Sequence, residues 1–271
     1  MMCRAIEMSP SAYYKWLRKH PSARDKWRDE VDQGLLKFFK QHKERYGSPR
    51  LVDELNDAGI ACCENTVAKR MKVLGLQARA ARRFKVGRDK SKRKAIYPNV
   101  LERDFTTTAA NQKWVADITY CWTPEGWLYF AAVMDLNSRS IIGWSMSTRI
   151  NRQIVTDALK MALWRRKFPK GVIVHTDQGS QYSSTDYTKL IKSNHLTGSM
   201  SGKGCCYDNA VIESFFKSLK VECIYPEKPK TRNEMRKVIF DYVEVYYNRQ
   251  RRHSSLDGLT PLQKEKLNQS S

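Results

Sequence analysis

Apolar residues along the first 76 positions recur three or four residues apart, a spacing that predicts amphipathic helices. Ser9-Pro10 is a predicted helix start, because a serine hydroxyl caps free N–H groups and proline suits the first helical position. A second helix is predicted from Asp25 to Lys43. Two short helices follow, one around residues 51–55 that stops at Ala58-Gly59 and one from residue 65 to 74 that Asn65 would cap.

The two short helices and their tight turn form a helix-turn-helix candidate. The second helix carries a polar, mostly basic set of side chains: Thr66, Lys69, Arg70 and Lys72. In a DNA-binding helix-turn-helix the second helix enters the major groove, so Lys69 and Arg70 are predicted to contact DNA. An ordinary helical hairpin with a solvated basic face would show the same pattern.

From Asn111 onward the pattern changes to β-rich runs and then to alternating strands and helices. Three runs at 114–122, 127–136 and 141–147 are predicted strands, separated by turns at 124–126 and 137–138. The following elements are predicted to alternate: helix 153–167, strand 171–174, helix 186–194, strand 197–200 and helix 208–223. Three meandering strands followed by α/β units predict a mixed sheet with helices on its faces, the element order of an RNase H-like α/β fold.

The last 47 residues contain one predicted helix, from Glu234 to Tyr247, and then a basic segment that ends in turn residues. This segment could brace the core or touch DNA, and its sequence does not favour either role. The chain is therefore predicted to have four parts: a helical region at 1–78, a basic linker at 79–108, a catalytic core at 109–224 and a C-terminal tail at 225–271.

The net charge of the chain indicates the class of molecule that it binds. The 271-residue chain has 49 lysines and arginines against 28 aspartates and glutamates, a net charge of +21. A globular protein this basic usually binds a polyanion, most often nucleic acid, although ribosomal and membrane-surface proteins share the property. The segment from Arg79 to Lys94 has nine basic residues and one acid, so it is predicted to be an arm that contacts phosphates, or else a solvated tether.

Cysteine usage and the absence of targeting signals indicate the compartment. None of the seven cysteines forms a C-x-x-C pair, which argues against a structural zinc site and fits a reducing cytosol. No signal peptide opens the chain and no apolar run approaches the length of a membrane span. We therefore expect a cytoplasmic protein.

Three carboxylates stand out in the predicted core, where acidic residues are scarce. Asp117 lies inside the first strand, Asp177 directly follows the fourth, and Glu213 lies in the last helix. If they converge, their mutual repulsion at neutral pH requires cations, and Mg²⁺ prefers such oxygen ligands, with Mn²⁺ as the alternative. Two such ions about 3.5–4 Å apart can clamp an in-line displacement at phosphorus. Lys217 and Lys220, on the same helical stripe as Glu213, would then hold adjacent phosphates.

Each of these residues also has a structural interpretation. Asp117 could be an edge-strand charge, Asp177 a turn former, and Glu213 one half of a surface pair with Lys217. Asp135 also ends an apolar strand, so spacing alone cannot exclude it from the site. His175 is more typical of a packing or hydrogen-bonding residue than of a ligand.

The segments around the three carboxylates resemble the motifs of retroviral-integrase-like insertion-sequence transposases: WVADITY at 114–120, HTDQGSQY at 175–182 and CYDNAVIESFFKSLK at 206–220. Thirty-five residues separate Asp177 from Glu213, the spacing of the D,D-35-E group, and Lys220 fills the family's basic position seven after the glutamate. Flanking segments also resemble the family's second-frame product, OrfB: SPSAYYKW at 9–16, RYGSPR at 45–50 and YNRQRRHSSL at 247–256 before Thr260-Pro261. Gly202 and Cys205 depart from the family's usual Arg and Asn, but neither is a proposed ligand.

The resemblance implies a DNA transposase with an integrase catalytic core that cuts transposon ends and joins the freed 3′-OH to another strand. It implies that Asp117, Asp177 and Glu213 are the catalytic, metal-binding triad of a two-metal site, and it excludes Asp135. The implied partners are terminal inverted repeats, target DNA, an upstream OrfA product or OrfA–OrfB fusion, and further copies of the chain, in the bacterial cytoplasm at the nucleoid. The alternatives are a nuclease or resolvase that hydrolyses without joining, and a DNA-binding regulator without catalysis.

Overall fold

The chain divides into two units, Met1–Arg79 and Ala80–Ser271. The described elements of the first unit are all helices. The computed structural model describes residues 9–17, 21–79, 95–202, 206–229 and 231–270. Residues 80–94 of the basic linker predicted at 79–108 therefore lie outside the described residues. Among the described helices, none is long and apolar enough to cross a membrane.

The first unit contains the helices that the apolar spacing predicts: α1 Pro10–Leu17, α2 Ala23–Gln41, α3 Ser48–Asp57 and α4 Glu64–Val73. Ser22 and Asp25 cap α2 reciprocally: the Asp25 N–H donates to the Ser22 hydroxyl, and the Ser22 N–H to the Asp25 carboxylate. The prediction that Asn65 caps α4 is wrong. The helix begins at Glu64, and Cys63 occupies the cap position without a side-chain capping bond to a backbone N–H.

The helix-turn-helix unit is held by an apolar centre to which three helices contribute. Its fully buried members come from α2, α3 and α4: Val31, Leu35, Leu51, Leu55 and Val67. Helices α2 and α3 approach closely at Gly34, where an added Cβ would lie 2.5 Å from a Leu55 methyl. The burial of one apolar stripe per helix explains why the three-and-four spacing predicted these elements.

A five-stranded mixed sheet forms the centre of the second unit. Its strands are β1 Lys113–Thr123, β2 Gly126–Asp135, β3 Ile141–Ser147, β4 Ile173–Thr176 and β5 Thr197–Met200, in the order β3-β2-β1-β4-β5. The β1–β2 and β2–β3 pairs are antiparallel, whereas β4 pairs parallel with both β1 and β5. The predicted RNase H-like fold is confirmed, including its three-strand meander and its parallel half.

Helices cover both faces of this sheet: α5 Arg152–Arg165, α6 Thr185–Ser193, α7 Ala210–Leu219, α8 Arg232–Phe240 and α9 Pro261–Ser270. Trp114 and Ala116 of β1 pack with α5 and α6 in the main core. On the opposite face, Phe130 of β2 meets the rings of Phe215 and Phe216 from α7 at centroid distances of 6.4 and 6.1 Å. Side chains alternate between faces along a strand, so Asp117 points toward α7.

The helical segment that contains α7 is longer than α7 itself. A 3₁₀ turn, Cys206–Asn209, precedes it, and a π-helical turn, Lys220–Ile224, continues it into Tyr225–Glu227. The predicted helix at 208–223 is therefore present, with its ends in other helical forms. In this segment Val211 is only half-buried, whereas Ile212, Phe215, Phe216 and Leu219 are buried.

The C-terminal tail braces the core, one of the two roles that its sequence left open; contact of the tail with DNA stays a prediction. The Asn248 side chain pairs with edge strand β3 as another peptide group would: it accepts from the Ile141 N–H at 2.9 Å and donates to the Ile141 carbonyl at 3.0 Å. Arg251 is buried against Glu222, with its Nη2 2.7 Å from one carboxylate oxygen. The Tyr242 hydroxyl donates to the other oxygen at 2.8 Å. The four-part division of the chain stays a proposal, but these bonds join its last two parts.

Removing one member of the Arg251–Glu222 pair should strongly destabilise the protein. Arg251→Met leaves the Glu222 charge buried, at an expected cost of about 3–5 kcal/mol, whereas Glu222→Leu combined with Arg251→Met removes both charges and should recover much of that loss. Urea unfolding monitored by circular dichroism measures both variants. A single variant as stable as the wild-type protein would contradict this role.

Candidate active site

Asp117 lies on β1 two residues past Val115, the last β1 residue that pairs with β4. Strand β4 pairs only with Lys113, Trp114 and Val115, so β1 runs on past it. The Ile118 N–H donates to the Asp117 carboxylate at 2.7 Å. Burial raises the pKa of Asp117 well above its ordinary value, and the charges of Asp177 and Glu213 raise it further; the Ile118 N–H and Lys220 only partly oppose this.

Asp177 follows the last residue of β4, where a tight turn orients its side chain. The Gly179 N–H donates to Oδ1 of Asp177 at 2.8 Å. A Cβ added at Gly179 would lie 2.8 Å from the same oxygen, so only glycine fits without a shift in the turn. Gln178 fixes the turn from the other side, because its amide donates to the Ser201 carbonyl at 2.9 Å. Asp177 itself is exposed.

His175 is a structural residue, as its sequence context indicates. Its ring is fully buried, with Nδ1 2.9 Å from the Ser199 hydroxyl and Nε2 3.1 Å from the Ser201 hydroxyl. Ser199 already accepts the N–H groups of Val100 and Leu101, so its own hydrogen goes to Nδ1 of His175. Nε2 then carries the proton, and burial lowers the pKa of His175 to about 4, which keeps the ring neutral.

Glu213 is positioned by the start of its helical segment. The Asn209 amide donates to the Ala116 carbonyl at 3.4 Å, which ties this segment to β1 beside Asp117. Asp208 is held by Arg103 at 2.8 Å and by the Gly202 N–H at 3.0 Å. Burial alone would raise the pKa of Asp208, but these bonds outweigh it and the net shift is downward. Glu213, one helical turn after Asn209, is exposed, and partial burial of its carboxyl raises its pKa.

Asp117 is the member of the predicted triad on which the other two carboxylates act. The charges of both Asp177 and Glu213 act on Asp117. Within the described ranges, however, no three His, Cys, Asp or Glu side chains are grouped closely enough to hold one ion together. The donor set nevertheless fits divalent cations such as Mg²⁺, because it consists of hard oxygens whose repulsion a cation would relieve.

Lys220 lies beside this site, whereas Lys217 extends from α7 into solvent. The ammonium of Lys220 sits 5.1 Å from the centre of the Tyr120 ring. Its charge lowers the pKa of Asp117 and partly offsets the burial that raises the pKa of Cys121 to about 11. Lys217 is exposed, and its contact with phosphate stays a prediction.

Asp135 is engaged in hydrogen bonds and an ion pair away from the predicted site, in agreement with its exclusion by the family motif. It is fully buried and accepts the N–H groups of Asn111 and Asn137, each at 3.0 Å. Arg166 lies 3.7 Å from the same carboxylate. Asp135 pairs with Trp114, three residues before Asp117, and so is displaced by roughly 10 Å along the strands.

Tyr182 is a residue near the predicted site that reasoning from the carboxylates missed. Its side chain is buried, and its hydroxyl has no hydrogen-bond partner among the described residues. Burial raises the pKa of Tyr182 well above its ordinary value, and the charges of Asp117 and Asp177 add to the shift. The phenol therefore lies near the two aspartates as an unused donor. Its place in the HTDQGSQY segment was the only sequence signal.

Lys69 and Arg70, the predicted DNA-contact residues of α4, differ in how far their side chains are already engaged within the protein. Lys69 is exposed. Arg70 is half-buried and forms a two-pronged ion pair with Asp32 of α2, with Nε 2.7 Å from Oδ1. This pair occupies much of the Arg70 guanidinium within the helical unit, so Lys69 is the better placed of the two for a phosphate or base contact, and both contacts stay predictions.

Removing the Asp117 charge should stabilise the metal-free protein at neutral pH. Because the folded-state pKa is raised above the ordinary value of about 3.9, the group's stabilising contribution is present below that pH and is lost as the pH rises through the folded-state pKa. Asp117→Asn keeps an acceptor for the Ile118 N–H and should raise Tm in EDTA, by an amount that shrinks toward pH ~4. Asp186→Asn, an exposed control, should change Tm little; a lower Tm for Asp117→Asn at neutral pH would contradict the electrostatic account.

Three family models match the chain. An HTH-like domain matches residues 26–84, one integrase core domain model matches residues 107–206, and a second matches residues 213–267. The boundary between the two core matches falls between the Asp177 turn and Glu213. Together the core matches extend beyond Glu213 through the Asn248 and Arg251 contacts that brace the sheet.

Curated relatives match almost the whole chain. The transposase InsF for insertion sequence IS3A of Escherichia coli (strain K12) is 49% identical over 269 residues, which cover 98% of this chain and 93% of the relative. The insertion element IS600 uncharacterized 31 kDa protein of Shigella sonnei is 38% identical over 96% of each chain. A solved HTLV-2 integrase catalytic core domain in complex with magnesium is 18% identical, with a TM-score of 0.41, and covers 59% of this chain and 98% of that one.

Proposed function

The chain belongs to the IS3 family of insertion-sequence transposases, and we propose that Asp117, Asp177 and Glu213 are the carboxylates with which this DNA transposase cuts and joins strands. The observation that carries the proposal is that β1 holds both neighbours of Asp117, because β4 pairs with β1 just before the Asp177 turn and Asn209, ahead of Glu213, bonds to Ala116. Asp117, from the centre of the sheet, is acted on by Asp177 from the end of β4 and by Glu213 from α7. Nearby charges of one sign without a cation are costly, so the arrangement favours metal binding.

Divalent cations would be held between these carboxylates, with Asp117 as the ligand common to both neighbours. When bound, two Mg²⁺ ions supply activation of the attacking oxygen and stabilisation of the leaving oxygen in an in-line displacement at phosphorus. The chain's own residues prepare that site. Gly179 and Gln178 fix the Asp177 turn, Asn209 ties the segment of Glu213 to β1, and Lys220 brings positive charge to the same place.

The substrate is DNA, and the basic parts of the chain support a division of labour in binding it. Lys217 and Lys220 would hold the phosphates next to the reacting one, while α4 of the HTH-like domain would read the transposon end. The net charge of +21 supplies the sequence-independent part of the affinity. Terminal inverted repeats and target DNA are the proposed substrates at the nucleoid, and an OrfA product or an OrfA–OrfB fusion, with further copies of the chain, is the proposed assembly.

A strand-transfer assay with pre-cut end DNA, Mg²⁺ and the full chain, with and without its upstream product, tests the proposal. Asp177→Asn and Glu213→Gln should each lower both cleavage and joining on the order of a thousandfold, since each removes ligation worth several kcal/mol. Asp186→Asn is the matched control, because this exposed carboxylate pairs only at the surface with Arg152.

The products distinguish the alternatives. Joined strands that disappear with the triad variants support the transposase mechanism. Hydrolysed DNA without joined product would favour a nuclease or resolvase, and DNA binding without either product would favour a regulator. Full activity of Asp177→Asn would overturn the assignment of the triad.

Lys69 and Arg70 give a second, separable prediction. Lys69→Ala should weaken DNA binding and reduce its salt dependence without changing Tm, because Lys69 is exposed. Arg70→Ala leaves Asp32 without its partner and should destabilise the helical unit by about 1.5–3 kcal/mol. Fluorescence anisotropy over a salt series and thermal unfolding measure the two effects; equal effects of both variants on Tm would contradict the distinction.

A further inference from the structure

Three large aromatic side chains are exposed together on the β1–β2 hairpin. The relative exposures of Tyr120, Trp122 and Trp127 are 57%, 58% and 42%. Trp127 lies edge-to-face with both others, at centroid distances of 5.1 Å to Tyr120 and 4.9 Å to Trp122. These three residues are called the aromatic cluster below. Contiguous exposed aromatic surface of this kind marks an interaction site more often than chance.

The aromatic cluster lies on the apolar face of the sheet, beyond the part that α5 and α6 cover. Tyr120 and Trp122 share the strand face of Ala116, which packs in the main core under α5 and α6. Trp122 stands directly opposite Trp127 across the hairpin. Cross-strand aromatic pairs do stabilise hairpins, but that role would be met by rings buried under the helices. Here the rings are left open to solvent.

The cluster also lies close to the proposed catalytic carboxylates along β1, although its rings are on the opposite face of that strand from Asp117. Tyr120 is three residues from Asp117 on the same strand, or roughly 10 Å, about the length of three base steps of a DNA strand. The Lys220 ammonium is close to both, because it lies 5.1 Å from the Tyr120 ring centre and its charge also acts on Asp117. Because, among the described strands, β4 pairs with β1 only as far as Val115, β1 has an open edge here, and a DNA strand bound at the carboxylates can cross that edge beside Lys220 to reach the aromatic cluster.

The charges around the cluster favour DNA over a second copy of the chain. Lys220 lies on one side, and the Arg232 guanidinium lies over Gly126 on the other, within 2.7 Å of where a Cβ would stand. Glu125, at the hairpin tip, is the acidic neighbour, and it accepts the Arg232 N–H at 2.8 Å. In a two-fold contact each patch meets its own copy, so the cations would face one another. A polyanion with flat apolar groups complements both the charges and the rings.

We propose that the aromatic cluster stacks unpaired bases of the DNA strand that the carboxylates act on, so that the transposase holds its DNA end with the terminal pairs opened. Aromatic side chains bind bases of any sequence through their π-faces, beside cations that follow the backbone. The inference rests on the proposed function, because it places the reacting strand at Asp117. It adds a subsite for bases to a centre that otherwise recognises only phosphate.

Binding measured in EDTA tests this without any catalysis. The full chain is titrated with two duplexes of the element's own terminal sequence, one fully paired and one with three mismatched terminal pairs, each carrying 2-aminopurine at the end. The wild-type protein should prefer the mismatched end roughly five- to a hundredfold, the range for stacking one base, and should quench its 2-aminopurine.

Trp122→Val combined with Trp127→Val should abolish the preference and the quenching, while affinity for the paired duplex stays within a factor of about two. Valine keeps the β-branched character that suits a strand. Trp164→Val is the matched control, because Trp164 is 73% exposed on α5 and belongs to neither the hairpin nor the site. Tyr120→Val provides a second test if the double variant does not fold, and it should reduce the preference in the same direction.

Two results would overturn the proposal. One is an unchanged preference for the mismatched end in both hairpin variants. The other is that the hairpin variants lose a self-association that the wild-type protein shows in analytical ultracentrifugation, while their DNA preference stays intact. That result would make the cluster an interface between copies of the chain. The test is independent of the triad: Asp177→Asn should keep the preference while losing cleavage, so failure of the catalytic assignment and failure of the stacking proposal give different results.

Discussion

Repulsion among three carboxylates is the constraint on which the catalytic unit depends. Asp117 is half-buried in the sheet, and its pKa is raised first by loss of solvent and then by the charges of Asp177 and Glu213. We propose that divalent cations, bound together with a phosphate, offset this cost. On this proposal the basic surface and the acidic centre are complementary: cationic side chains would attract the DNA, and the few carboxylates would bind the ions that act on it.

Strand pairing and side-chain hydrogen bonds hold the segments that carry the three carboxylates close together. Parallel pairing of β4 with β1 brings the Asp177 turn to the middle of the sheet, and the Asn209 bond to Ala116 anchors the segment of Glu213 there. The C-terminal tail supports the same segment from behind, because Glu222, in its π-helical turn, is paired with the buried Arg251. The YNRQRRHSSL segment therefore acts as a brace, and the core is incomplete without it.

Periodicity predicted this architecture well because burial of one face sets the spacing of apolar residues. The strands and helices of the core follow the runs that alternate or recur along the chain, and the family motif separated Asp117 from Asp135. Residues whose roles come from tertiary contacts could not be found that way. The Asn248 amide that pairs with β3, the Tyr182 phenol and the Asp32 partner of Arg70 depend on neighbours distant in sequence. The α4 start at Glu64 shows that a favourable cap residue, Asn65, does not fix a helix end.

Metal binding by the intact chain tests the central claim most directly. Isothermal titration calorimetry with Mn²⁺ at neutral pH should show binding by the wild-type protein that weakens at least tenfold, or about 1.4 kcal/mol, in Asp117→Asn, while Asp186→Asn binds as the wild-type protein does. Equal Mn²⁺ affinity of Asp117→Asn and the wild-type protein would contradict the account, because Asp117 is the carboxylate that both of the others act on.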